Sequence, residues 1–172
     1  MRVVVVGGSA SNVGKTTLAA HVIRYEPARS RVVAMKVSVR ERPCELRVLV
    51  LAPGAPAGHR GDTGRLLEAG ATHVVWVTTA RPQVRAGLAA GLRAVRALRP
   101  DVVVIESTSA GIELGGAIES WFVAGDGAWK PWAHRHCARA NHVVTSAGVA
   151  WLTAPVSGLA DEVLQFGVHS VG

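Results

Sequence analysis

The run Gly7-Gly8-Ser9-Ala10-Ser11-Asn12-Val13-Gly14-Lys15-Thr16-Thr17 decides the fold. It follows the apolar, β-branched stretch Val3–Val6 and opens a segment whose spacing predicts a helix over Lys15–Arg24. A glycine-rich turn between a strand and a helix is the setting that a phosphate-binding loop requires. Small residues let consecutive backbone N–H groups turn inward around a phosphate, and the helix N-terminus adds its dipole. In that reading Gly8, Ser9, Ala10, Ser11, Asn12, Val13 and Gly14 form the cradle. Lys15 reaches the β- and γ-phosphates, the Thr16 hydroxyl completes a magnesium coordination sphere, and Thr17 contacts the α-phosphate. One position departs from the pattern G-x-x-x-x-G-K-[ST]. Counting back from Gly14, the first glycine falls at position 9, where the chain has Ser9, and Gly8 stands one place early.

Working outward, apolar strand-like runs alternate with helix-period stretches. Strands are predicted over Arg2–Val6, Arg31–Val37, Leu46–Leu51, His73–Val77, Asp101–Glu106, Ile118–Val123 and His142–Thr145. Further helices are predicted over Thr63–Glu68, Pro82–Leu98, Pro131 to about Arg139, and Val156–Phe166. Asp62 is the natural N-cap of the first of these and Gly70 its C-terminal stop. This alternation predicts an α/β fold in three layers, a mainly parallel central sheet flanked by helices, of the P-loop nucleotide-binding kind. No repeat or low-complexity linker interrupts the chain, so one nucleotide-binding domain over residues 1–172 is expected. Pro53–Gly61, rich in proline and glycine, reads as a loop that nucleotide binding would order.

Three charged residues stand where strand ends and helix starts meet a ligand crevice. Glu106 closes the apolar strand Val102–Ile105, as the acid of a Walker B strand does, and a carboxylate there faces the crevice of an open α/β sheet. It can hold magnesium through water or orient an attacking water; the bland alternative is a capping or loop-anchoring acid. Lys36 closes the second strand and points toward phosphate or an acidic substrate, or is a solvated strand-end charge. Asp62 is either a second metal or substrate carboxylate, or only the helix cap. The catalytic candidates are therefore Lys15, Glu106 and Lys36, and the metal candidates Thr16 and Glu106.

Composition bounds the rest. The chain has 172 residues, 49% apolar and 18% charged, which is globular composition. The longest apolar runs are strand-sized, too short to span a bilayer, and the N-terminus lacks room for a signal-peptide core. Cys44 and Cys137 cannot make a disulfide framework. A soluble cytoplasmic domain is expected. Nineteen Lys and Arg against twelve Asp and Glu give +7, but only three are lysines and no basic run occurs. That balance suits a pocket for phosphorylated small molecules better than nucleic acid. His134-Arg135-His136-Cys137 has zinc-ligand residue types without paired-site spacing and reads as a helix face. Trp121, Trp129, Trp132 and Trp151 read as core or dimer interface, and Asp126 and Lys130 as a solvated loop pair, with contact to substrate as the alternative. Thr145-Ser146-Ala147-Gly148 is a candidate base-side loop, since no Asn/Thr-Lys-x-Asp guanine motif is present.

At these residues the chain resembles the molybdopterin-guanine dinucleotide biosynthesis adaptor family, MobB type, within the SIMIBI class of P-loop proteins. The likeness lies in Gly8–Thr17, in Val33-Ala34-Met35-Lys36, in Gly61-Asp62-Thr63-Gly64-Arg65-Leu66-Leu67-Glu68-Ala69-Gly70-Ala71 and in Val102–Glu106. The Asp62–Ala71 segment discriminates most, because loop and acidic strand occur across the superfamily. The resemblance implies GTP binding, slow magnesium-dependent hydrolysis and a homodimer. It also implies help to a partner molybdopterin nucleotidyltransferase that attaches GMP to molybdopterin. The chain departs from the family where Val37-Ser38-Val39-Arg40 follows Lys36 in place of histidines, and where Ser107 follows Glu106 in place of glycine. Trp121–Gly172 carries no likeness. The alternative is an ATP-dependent ligase or kinase of the same superfamily, similar to dethiobiotin synthetase, in which Lys36 would activate the substrate.

Overall fold

A strand buried on both faces reads as an unbroken Val/Ile run, and such runs pair in parallel when a helix returns each strand to the same end of the sheet. The computed structural model, which describes residues 1–54, 61–114 and 118–151, follows this rule. β1 (Arg2–Gly8) leads through the glycine-rich loop into α1 (Lys15–Tyr25). β2 (Val32–Arg40), β3 (Arg47–Leu51), α2 (Gly61–Glu68) and β4 (His73–Ala80) come next. After a 3-10 turn, Arg81–Gln83, follow α3 (Val84–Ala97), β5 (Val102–Glu106) and α4 (Thr108–Glu113). β6 (Glu119–Ala124), α5 (Ala133–Cys137), β7 (His142–Thr145) and α6 (Ser146–Trp151) complete the described chain. The sheet runs β3-β4-β2-β5-β1-β6-β7, and only the edge strand β3 is antiparallel to its neighbour.

Alternation along the strands splits the core in two. Val4, Val6, Val32, Ala34, Val102 and Val104 pack with Leu18 and Ile23 of α1, Leu66 of α2 and Val149 of α6. Val5, Val33, Met35, Val75, Val103 and Ile105 face the other way, onto Val84, Leu88 and Val95 of α3 and Ala110 of α4. The described residues thus form an α/β fold with a mostly parallel sheet between helices. No helix among them is long and apolar enough to cross a membrane.

The elements predicted over the described residues are present, with instructive differences. β2 and β4 each run three residues further than expected, because they pair with each other as far as Arg40 and Ala80, so Lys36, expected to close its strand, stands in the middle of β2. α4 was not expected from its polar, glycine-containing sequence; Ser107 starts it, its Oγ accepting from the Ala110 N–H at 3.1 Å. Asp62 is not the cap of α2: the helix includes Gly61, so Asp62 lies within the first turn. Gly70 does stop that helix, at φ 111°. The predicted helix Val156–Phe166 and most of the Pro53–Gly61 loop lie outside the described residues.

Candidate functional site

Register and strand parity bring the first group together. Lys36 has the same parity as Val32 and Ala34, and Glu106 the same as Val102 and Val104, so both side chains leave the sheet on the α1 face. β2 and β5 pair with Lys36 directly beside Glu106, and β1 places Val6 on the other side of Glu106. The Glu106 carboxylate is only 5% exposed. Its Oε1 accepts from Lys36 Nζ at 3.0 Å and its Oε2 from the Thr16 hydroxyl at 2.9 Å. Lys36 Nζ also donates to Asp62 Oδ2 at 2.6 Å. A single hydrogen-bonded chain, Thr16–Glu106–Lys36–Asp62, therefore joins α1, β5, β2 and α2.

These contacts set the charges. Burial works against the Lys36 ammonium, but the adjoining Glu106 and Asp62 outweigh it and hold its pKa above the ordinary lysine value. Burial likewise opposes ionisation of Asp62, yet the hydrogen bond and charge of Lys36 hold its carboxyl below the usual range.

The glycine-rich loop is built around a few close approaches. A Cβ on Gly8 would lie 2.8 Å from Val13 Cγ2 and 2.9 Å from the Val123 carbonyl, so only glycine fits. Gly14 takes φ 102° and Asn12 φ 59°, left-handed values that glycine and asparagine tolerate. Thr108 clamps the loop from α4: its hydroxyl donates to the Gly8 carbonyl at 2.9 Å and accepts from the Gly8 N–H at 3.1 Å. Ser9, fully buried, aims its side chain away from the cradle, its Oγ accepting from the Gly125 N–H at 2.9 Å. Its backbone bonds the Val123 carbonyl and the Lys130 N–H, each at 2.9 Å. Gly8 thus fills the tight position, and Ser9 ties the loop to the segment after β6.

Lys15 folds over the loop, its Nζ donating to the Ala10 carbonyl at 2.5 Å. Burial pushes its pKa below the ordinary value, Glu106 opposes that, and the neighbouring Lys130 and Lys36 add to it. Arg65 of α2 donates to the Thr17 hydroxyl at 2.8 Å. Thr16 Oγ1 and Glu106 are hard oxygen donors in contact, and they fit magnesium, which takes few protein ligands beside phosphate and water oxygens.

A cleft of about 540 Å³ opens over the ends of these strands. Of the predicted nucleotide-binding residues, Ser11, Asn12, Gly14, Lys15, Thr16, Thr17 and Asp62 line it, together with Lys36 and Glu106. Gly8, Ser9, Ala10 and Val13 lie behind that surface and shape it. The cleft is also lined by Ser107–Ser109 at the start of α4 and by Arg81, Lys130 and Trp132. The sequence reading did not place Arg81 or Trp132 there, and it took Lys130 for a solvated charge. The one local signal was the position of Arg81, immediately past a strand's carboxyl end.

Other candidates lie elsewhere. Thr145–Gly148 is not a loop: Thr145 ends β7, Ser146 starts α6, and the Thr145 hydroxyl accepts from the Gly148 N–H at 3.1 Å. His134 stacks on Trp129, whereas His136 is buried against Phe122. Among the described residues no three His, Cys, Asp or Glu side chains gather as metal ligands. Comparison with protein-family models, curated proteins and solved structures finds no match to this chain.

Proposed function

We propose that the chain is a P-loop protein that binds a nucleoside triphosphate with magnesium in this cleft and hydrolyses it slowly. In this reading it is a MobB-like accessory protein that assists the attachment of GMP to molybdopterin, with GTP as its nucleotide. The observation that carries the nucleotide assignment is the contact between Thr16, next to Lys15 at the start of α1, and the buried Glu106 on the adjoining strand. The adaptor assignment rests on the family likeness. It is supported by the Lys36–Asp62 ion pair, which joins two of the four segments that resemble that family.

In the hydrolysis proposed, a water oxygen attacks the γ-phosphorus and the bond to the β–γ bridging oxygen breaks. The electron pair stays on the departing diphosphate, and the water's proton is released to solvent. Lys15 exchanges the Ala10 carbonyl for β- and γ-phosphate oxygens, and loop N–H groups face the charge that grows on the bridge. Thr16 and Glu106 would hold magnesium, which supplies charge neutralisation on the phosphate oxygens. Lys36 holds Glu106 in place by its hydrogen bond and keeps Asp62 ionised. Both Glu106 oxygens accept hydrogen bonds, from Thr16 and from Lys36, which fix the carboxylate beside the loop.

A second reading is an ATP-dependent small-molecule ligase or kinase. The cationic bank beyond the loop, Arg81 and Lys130, favours it, since an adaptor needs no acceptor site in the same cleft. Titration of the protein with GTP and with ATP, with and without magnesium and beside Lys15→Ala, tests both. Magnesium-dependent preference for GTP, lost in the variant, supports the adaptor reading; preference for ATP shifts the assignment to the second. Binding of neither nucleotide refutes both. Sedimentation of the nucleotide-loaded protein tests the homodimer that belongs to the first.

A further inference from the structure

The cleft carries positive charge beyond that of the phosphate loop, on Lys130 and Arg81. We infer that Lys130 and Arg81 form a second anion subsite, which takes a small molecule bearing a carboxylate or phosphate beside the γ-phosphate of the bound nucleotide. This rests on the reading of the cleft as a nucleoside triphosphate site.

Four observations carry it. Lys130 is anchored to the loop, its backbone N–H donating to the Ser9 carbonyl at 2.9 Å, so its side chain enters the cleft from a fixed point. Among the described residues its ammonium has no hydrogen bond or ion pair. The Arg81 guanidinium lies over the Trp132 ring, 3.5 Å from its centroid. Its Nε and Nη2 bond to Glu41, at 2.9 and 2.5 Å, while its Nη1 makes no hydrogen bond among the described residues. Trp132 and Glu41 together fix the plane of the guanidinium and leave one of its amino groups to donate.

The charge balance points the same way. Lys36 is consumed by Glu106 and Asp62, Arg81 is balanced by Glu41, and Lys15 belongs to the phosphate loop. Lys130 makes no ion pair among the described residues; its charge adds to that of Arg81 in lowering the Glu41 pKa and to burial in lowering that of Lys15. A compact ammonium beside a rigid guanidinium edge is a recognition pair for an oxyanion. The cleft volume of about 540 Å³ falls within the range of small-molecule sites.

The test uses the whole chain with magnesium and a non-hydrolysable triphosphate analogue, so that the phosphate loop is filled. Inorganic phosphate, acetate and neutral acetamide are then titrated separately and followed by amide NMR shifts. Saturable binding of phosphate or acetate, but not acetamide, is expected, and which anion binds names the class. Lys130→Gln and Arg81→Lys should each weaken that binding about tenfold, the loss of one charge-assisted hydrogen bond. Trp132→Phe should weaken it less. Binding of neither anion to the loaded wild type, or unchanged binding in Lys130→Gln, overturns the subsite while the nucleotide reading stands. If the analogue itself fails to bind, both readings fall together.

Discussion

Acidification is expected to weaken this fold, and His136 supplies a part that can be isolated. Its ring is completely buried behind the phosphate-loop strand, in a notch made by two glycines. A Cβ on Gly7 would lie 2.1 Å from Nδ1, and one on Gly111 would lie 2.1 Å from Nε2. The ring shares a hydrogen bond with the Ser120 hydroxyl at 2.8 Å through Nε2, and its buried Nδ1 has no partner. Burial lowers its pKa from 6.5 to about 4. Above 6.5 the ring is neutral in both folded and unfolded chains, so nothing is lost. Between 6.5 and about 4 the unfolded chain binds the proton and the folded one does not, so stability falls as pH falls. That interval, at about 1.4 kcal/mol per pH unit, amounts to about 3 kcal/mol. Urea denaturation of the wild type and His136→Gln at several pH values from 7 to 4 measures it. The variant should be the less stable at neutral pH, and the two curves should converge by about 3 kcal/mol toward acid. His21 is also shifted down, by burial and by Arg24, but it contributes equally to both proteins. Parallel curves, or an imidazole of His136 titrating near 6.5 in the folded protein, would refute the reasoning.

Two further substitutions probe the loop and the buried charges. Ser9→Gly, which restores the usual phosphate-loop pattern, should destabilise the protein by about 1–3 kcal/mol, because the Gly125 N–H loses its acceptor; a midpoint raised in urea would contradict the role assigned to Ser9. Lys36→Met should cost about 3–5 kcal/mol at neutral pH by leaving the buried Glu106 carboxylate without a cation. Much of that should return when Glu106→Gln is added, and strict additivity of the two changes in a denaturation cycle would show that the pair is not coupled.

Much of the fold was legible because its signals are local. Val3–Val6 and Val102–Ile105 announce buried strands by composition alone, and α3 by its 3.6-residue period. The glycine-rich turn between β1 and α1 was legible for the same reason, since strand, glycines and helix are contiguous. Ser9 was legible only as a departure from pattern, because the group that explains it, the Gly125 N–H, is 116 positions away. α4 escaped notice because its stability comes from the Ser107 cap and from packing, and its own residues are polar and small. The Arg81–Trp132–Lys130 bank joins the end of β4 to the segment before α5, a proximity that no spacing along the chain encodes.

The sequence by itself determined that Glu106 would close a strand and that Lys15 and Thr16 would open a helix, because secondary structure follows side-chain periodicity. Only the tertiary structure decided that Lys36 lies beside Glu106, that Asp62 completes the ion pair instead of capping its helix, and that Lys130 faces the cleft. Those facts depend on strand order, β2-β5-β1, and on register. Both are set by which helix crosses which face of the sheet, a property of the whole packed core.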